Sequence, residues 1–168
     1  LDETHRWRGE AAGWPYGFVK HQAEEDVRTA ARQGLGALIV NPSLVIGPGD
    51  RHRVSNILIW HILHGRVPPL IPGGLNVVAI EDVAAGTAAA LAHGRPGERY
   101  ILCGENRTLA DLIRTTARLL GRAEPRRQLP LGPTRAVATI VRAAVRALRL
   151  PLAPELLRAV GEEGYTEP

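Results

Sequence analysis

The chain has 168 residues, 45% of them hydrophobic and 23% charged, enough for one domain with a real core. No apolar run is long enough to span a bilayer, nothing resembles a secretory signal, and the single Cys103 cannot form an internal disulfide, so a reducing cytoplasm is expected. Net charge is +4, carried by twenty arginines and one lysine, but aromatics make up only 4% and no nucleic-acid motif is present, so no nucleic-acid partner is expected.

Residues 1–13 are polar and irregular and read as loop. Pro15 suits the first turn of a helix, where its missing N–H has no helical partner anyway. From Tyr16 to Arg32 the pattern is helical, with Tyr16, Lys20, Ala23, Val27 and Ala31 on one face. Gly34 or Gly36 stops it. Residues 37–41 (ALIVN) predict a strand buried on both sides in a parallel sheet, ended by Pro42. Residues 47–50 (GPGD) are a turn.

Residues 54–64 read as a helix with Val54, Ile57, Leu58 and Ile62 inward, and 68–74 as loop. A strand at 76–80 precedes a helix from Glu81 to His93, with Val83, Ala84, Thr87, Ala88 and Leu91 on one face and Asp82 as its cap. A third strand covers 99–103 and buries Cys103. Thr108 and Asp111 form a capping box for a helix running to Leu120, closed by Gly121. A Pro- and Arg-rich linker (125–133), a basic amphipathic helix (134–150) and a short helix after Pro154 complete the chain.

Helices alternating with buried strands predict an α/β layered fold. About three strands are legible, fewer than the five or six of a doubly wound sheet, and the first element is a helix. The chain is therefore expected to be an N-terminally truncated piece of a longer protein.

The one lysine stands four residues after a tyrosine. On a helix, Tyr16 and Lys20 project from the same face. A free phenol is a poor base at neutral pH, with a pKa of about 10. An ammonium about 4 Å from a phenolate favours it by about 4 kcal/mol at an effective dielectric near 20. Such a pair suits general acid–base work. Lysine also serves better than arginine here, being a compact point charge with three rotatable donors. The bland alternative is a surface pair in which the lysine stem lies over the ring.

The Tyr-x-x-x-Lys helix, the strand ending Asn-Pro-Ser and the following Gly-Pro-Gly-Asp resemble the extended short-chain dehydrogenase/reductase superfamily. That group holds NAD-dependent sugar epimerases, dehydratases and dihydroflavonol-reductase-like enzymes. VVAIEDVAAGTAAAL (77–91) and GERYILCGENRTLADLI (97–113) are similar to the family's later strands and helices. The branch most resembled is the hopanoid-associated sugar epimerases, and the resemblance covers residues 1 to about 122.

The resemblance implies an NAD- or NADP-dependent epimerase, dehydratase or carbonyl reductase acting on a nucleotide sugar or related hydroxyl or carbonyl compound. Tyr16 would be the catalytic acid/base. Lys20 would make it a better base and hydrogen-bond the nicotinamide ribose. Pro42 and Ser43 would lie against the nicotinamide end of the cofactor. Residues 1–128 would be the C-terminal part of a Rossmann-type, doubly wound parallel sheet with interleaved segments of a small, mostly helical substrate lobe. Residues 129–168 would be that lobe's helical C-terminal segment. The family often dimerises through the helix that carries this motif.

Three departures stand out. The family's glycine-rich phosphate loop has no counterpart in these residues, since GGLN and GPGD do not open a strand–turn–helix. Thr4 lies too close to the tyrosine to be the family's catalytic Ser or Thr. Ala79 stands where the family often has His. A non-catalytic cofactor sensor or scaffold on the same fold is the alternative function, and a basic surface-binding fragment a third.

Two further features carry less chemistry. His61 and His64 have metal-ligand spacing on a helix, but no Cys, Asp or Glu completes a set, so no metal is expected. Glu24, Glu25 and Asp26 read as an acidic patch on a solvated helix face. The helix at 134–150 has no Trp or Phe to seat it on a membrane, and stable membrane insertion is not expected.

Overall fold

A computed structural model describes residues 2–4, 15–51, 55–70, 72–128 and 163–164. The helices expected at 134–150 and after Pro154 lie outside the described residues, as does Val54.

Helix α1 (Pro15–Arg32) opens on the expected proline and is followed by Gly34, whose φ of +100° turns the chain. The face that carries Tyr16 and Lys20 is not buried. Tyr16, Lys20 and Ala23 are exposed and Val27 is half-buried; all four line an open groove. Strand β1 (Ile39–Pro42) follows, two residues shorter at its start than the apolar run. Only Ile39 is buried. The expectation of burial on both sides needs correction, because among the described residues β1 pairs with one strand only, β4 (Arg99–Leu102), in parallel.

A single residue, Ser43, separates β1 from β2 (Leu44–Ile46), which the sequence reading missed. β2 pairs in parallel with β3 (Gly74–Ala79), so at Ser43 the extended chain leaves one sheet and enters another. The same switch recurs at the other strand. After β4, Cys103 and Gly104 lead into β5 (Glu105–Thr108), which pairs antiparallel with β3. Cys103 is half-buried and just beyond β4, not within it. β6 (Glu163–Gly164) pairs in parallel with the start of β3. Both switches escape a reading of the sequence because Ser43 and Gly104 look like strand ends.

Helix α2 (Ile57–Leu63) buries Ile62, as the pattern predicts. The Asp50 carboxylate accepts from the N–H groups of Ser55 (3.0 Å) and Asn56 (2.9 Å), satisfying donors at the helix entrance. Helix α3 (Ile80–His93) follows β3 directly. Its buried side differs from the expected one: Ala90 is buried and Val83 and Gly86 are half-buried, whereas Leu91 is 78% exposed. An Ala-rich helix is apolar nearly all round, so periodicity cannot set its phase. Gly86 does set it, because a Cβ there would stand 2.9 Å from a Leu102 methyl. Asp82 is not the cap. The cap position is Ala79, without a side-chain bond, and Asp82 lies in the first turn, where its charge suits the helix dipole.

Helix α4 (Leu109–Leu119) has the predicted start, with Thr108 Oγ1 accepting from the Asp111 N–H at 3.0 Å. Ile62, Leu70, Ile113 and Ala117 form the main apolar cluster, flanked by Leu58, Val67, Ala110 and Leu120. The core thus lies between α2, α4 and the segment around Leu70.

Candidate functional site

Helix geometry puts Tyr16 and Lys20 one turn apart on one face of α1. Lys20 Nζ stands 5.6 Å from the centroid of the Tyr16 ring, over its face. This is the distance range of a cation–π contact. The ring is 48% exposed, so the phenol is accessible to a ligand. Tyr16, Lys20 and Pro42 line one groove of about 1080 Å³ between α1 and β1. Thr4 also lines it, and its hydroxyl donates to Asp2 Oδ1 at 2.6 Å. The groove has the size of a ligand cleft, and it offers a phenol and an ammonium together.

Of the four residues singled out from sequence, three meet in this groove. The fourth, Ser43, does not line it. Its hydroxyl donates to Asn76 Oδ1 at 2.7 Å, and its N–H donates to the Leu102 carbonyl at 3.0 Å.

Below Lys20 on the same helix face lies Glu24, which is not part of a solvated patch as the sequence reading had it. Its side chain is 16% exposed. Oε1 accepts from Asn41 Nδ2 at 2.7 Å, and Oε2 is 3.3 Å from both Arg28 and Arg99. Arg28 also pairs with Glu25. Arg99 in turn donates to the Glu3 carbonyl at 2.7 Å, while the Glu3 carboxylate accepts from the Ile101 N–H at 3.0 Å. The network ties α1, β1, β4 and the segment at 2–4 into one wall of the groove. Glu24 carried a signal in its spacing, eight residues after Tyr16 and four after Lys20, which places all three in one row.

Among the described residues no three His, Cys, Asp or Glu side chains gather as metal ligands. Nor is any described helix long and apolar enough to cross a membrane.

The parallel pairings, with helices between the strands, define an α/β protein of the Rossmann type, like the solved structures it matches. Residues 2–103 match the model of the NAD dependent epimerase/dehydratase family, and the chain belongs to that family, within the extended short-chain dehydrogenase/reductases. It is 34% identical over 119 residues to sterol demethylase protein B of Methylococcus capsulatus, covering 70% of this chain and 36% of that protein. It is 34% identical over 135 residues to a putative dihydroflavonol 4-reductase of Synechocystis, covering 77% of this chain and 39% of that one. Among solved structures it is similar to a nucleoside-diphosphate-sugar epimerase from Pseudomonas aeruginosa, with a TM-score of 0.74 and 31% identity over 99% of this chain and 56% of that one. The chain therefore spans well under half the length of these two curated relatives.

Proposed function

We propose that this chain is the C-terminal part of an NAD- or NADP-dependent enzyme that epimerises, dehydrates or reduces a nucleotide sugar or a related hydroxyl or carbonyl compound. The observation that carries the reading is the shared groove of Tyr16, Lys20 and Pro42. The residues suit a nicotinamide dinucleotide: an accessible phenol, an ammonium able to donate to ribose hydroxyls, and a strand end without an N–H at Pro42. Lys20 would hold the ribose, and Pro42 and Ser43 would flank the nicotinamide. The bound cofactor supplies hydride acceptance and return.

The residues' own work follows from their chemistry. A Tyr16 phenolate takes the proton from a substrate hydroxyl, or the Tyr16 phenol gives its proton to a carbonyl oxygen. The Glu24 network holds α1 against β1, which sets the distance between Tyr16 and the strand end. Residues 1–128 form the dinucleotide-domain portion and residues 129–168 the end of the substrate lobe. A homodimer through α1 is part of the same reading.

The test is binding of NADH and NADPH to the 168-residue chain beside a form extended through the upstream reading frame. The reading expects the extended form to bind, and Tyr16→Phe to abolish its turnover while sparing binding. An extended form that binds neither dinucleotide replaces this reading with a non-catalytic scaffold. Net turnover of NAD(P)H separates a reductase from an epimerase.

A further inference from the structure

Charge is not spread evenly along the chain. The stretch from Arg114 to Arg149 holds nine of the 21 basic residues and, in Glu124, one of the 17 acidic ones, a net of +8. The remaining residues together carry −4, so the basicity of the whole chain comes from this stretch. Such asymmetry points to an anionic partner for one part of the surface.

The described part of the stretch is folded against the end of α2. Arg122 Nη2 donates to the Leu63 carbonyl at 2.6 Å, which ties the end of α4 to the end of α2. The Leu70 N–H donates to the Arg127 carbonyl at 2.9 Å, which draws residues 122–128 back beside the segment that follows α2. Arg66 lies on that segment, with its N–H given to the His61 carbonyl at 2.9 Å. Arg66, Arg122, Arg126 and Arg127 are all exposed, and among the described residues none of them makes an ion pair. Glu124, the one carboxylate of the stretch, is taken by Arg118 at 2.9 Å. Two large apolar side chains stand exposed at the same helix ends, Leu63 at 48% closing α2 and Leu119 at 80% closing α4.

The mixture of free arginines and exposed leucines selects among anionic partners. The next part of this chain does not fit, because residues 129–150 carry four more arginines and no carboxylate, so they add to the positive charge. A nucleic acid would use the arginines only. The stretch 114–149 has no aromatic residue to stack on a base, and leucines gain nothing from phosphates. An anionic bilayer uses both kinds of side chain, since arginines reach headgroup phosphates while leucines enter the boundary with the acyl chains.

We infer that the joined ends of α2 and α4 form a peripheral docking face for an anionic lipid surface, with Arg66, Arg122, Arg126 and Arg127 as its charges and Leu63 and Leu119 as its apolar contacts. The contact is interfacial, and no described helix is long and apolar enough to cross the bilayer. It needs no dinucleotide, so its test is independent of the function proposed above.

The experiment measures, by co-sedimentation, the partition of the 168-residue chain onto vesicles of phosphatidylcholine alone and of phosphatidylcholine with about 30% phosphatidylglycerol, an anionic surface. The chain is expected to bind the anionic vesicles in about 0.1 M salt, to ignore the neutral ones, and to be released in about 0.5 M salt. Arg126→Gln with Arg127→Gln should lower partition about 25-fold, about fivefold for each charge removed. Leu119→Ser keeps every charge and should lower it about fivefold through lost apolar burial. The control is Arg32→Gln with Arg95→Gln, which removes the same charge from exposed positions on other elements and should change partition less than twofold, about the reach of screened charges.

Failure of the wild type to bind the anionic vesicles overturns the inference. A control pair that loses as much as Arg126 and Arg127 also overturns it, because net charge and no particular face would then govern binding. So does tighter binding to duplex DNA of arbitrary sequence than to the vesicles, with Leu119→Ser without effect on either, which would assign the arginines to a nucleic acid.

Discussion

Glu24 Oε1 accepts a hydrogen bond from Asn41 Nδ2 at 2.7 Å, and this contact fastens the helix of Tyr16 and Lys20 to the strand that ends at Pro42. The same carboxylate lies between Arg28 and Arg99. Removing it leaves two largely buried guanidinium groups with one partner fewer. Glu24→Ala is therefore expected to destabilise the protein by about 2 kcal/mol. Glu24→Gln keeps an oxygen for Asn41 and should cost about half as much. Denaturant midpoints of the two variants check this. Equal midpoints for Glu24→Ala and wild type would show that the network contributes nothing in solution.

The groove makes a separate prediction about Tyr16. Its phenol is accessible, and substitution by phenylalanine leaves the ring to pack under the Lys20 ammonium. Tyr16→Phe should lower kcat by about a hundredfold to ten-thousandfold, the range for a lost general acid–base group. The dissociation constant for the dinucleotide should change little. Lys20→Arg should lower kcat as well, because a rigid planar fork does not reproduce the three rotatable donors of a compact ammonium. Single-turnover rates and equilibrium binding separate the two quantities. A Tyr16→Phe protein with unimpaired turnover would remove Tyr16 from the chemistry.

Two glycines are needed for different reasons. Gly104 is needed for space, since a Cβ would stand 2.4 Å from the Val77 carbonyl oxygen and 3.1 Å from Val78 Cα. Neither backbone atom can move without disturbing β3. Gly104→Ala should cost about 3 kcal/mol, the upper range for overpacking. Gly34 is needed for conformation alone, with φ at +100° and nothing within 4 Å of an added Cβ. Gly34→Ala should cost about 1 kcal/mol. Thermal melts of the pair would expose an error in this ranking if the order reversed.

What the sequence makes legible, and what it does not, follows from how local each signal is. The α1 start at Pro15, the Thr108 cap and the burial of Ile62 depend on residues within one turn, and each stands where the pattern puts it. The groove residues Tyr16, Lys20 and Pro42 were also readable, because a helical i, i+4 pair and a strand-ending proline are local. Long-range features were not. β2 and β5 are short and half-exposed or polar, and exist because β3 lies between them. Asn76 interrupts an otherwise apolar strand, a visible anomaly whose partners lie 28 and 33 residues away. The Glu24 contacts reach residues 17 and 75 positions distant, so a helix wheel alone leaves Glu24 looking solvated.

One ion pair gives a pH prediction whose sign is fixed. Arg118 Nε donates to Glu124 Oε1 at 2.9 Å, just past the end of α4. That hydrogen bond, ahead of the charge interactions with Arg118 and Arg114, holds the Glu124 carboxyl below its ordinary value of 4.5. A carboxyl lowered in the folded state favours folding above its unfolded pKa, and that contribution is lost as pH falls through the folded value. Both side chains are solvent-facing, so salt should weaken the pair. A carbon-detected titration should find Glu124 below the ordinary range at low ionic strength. Arg118→Ala should return it to that range, and 1 M salt should bring it part of the way. A wild-type Glu124 that titrates at its ordinary value in dilute buffer would mean that the pair does not persist in solution.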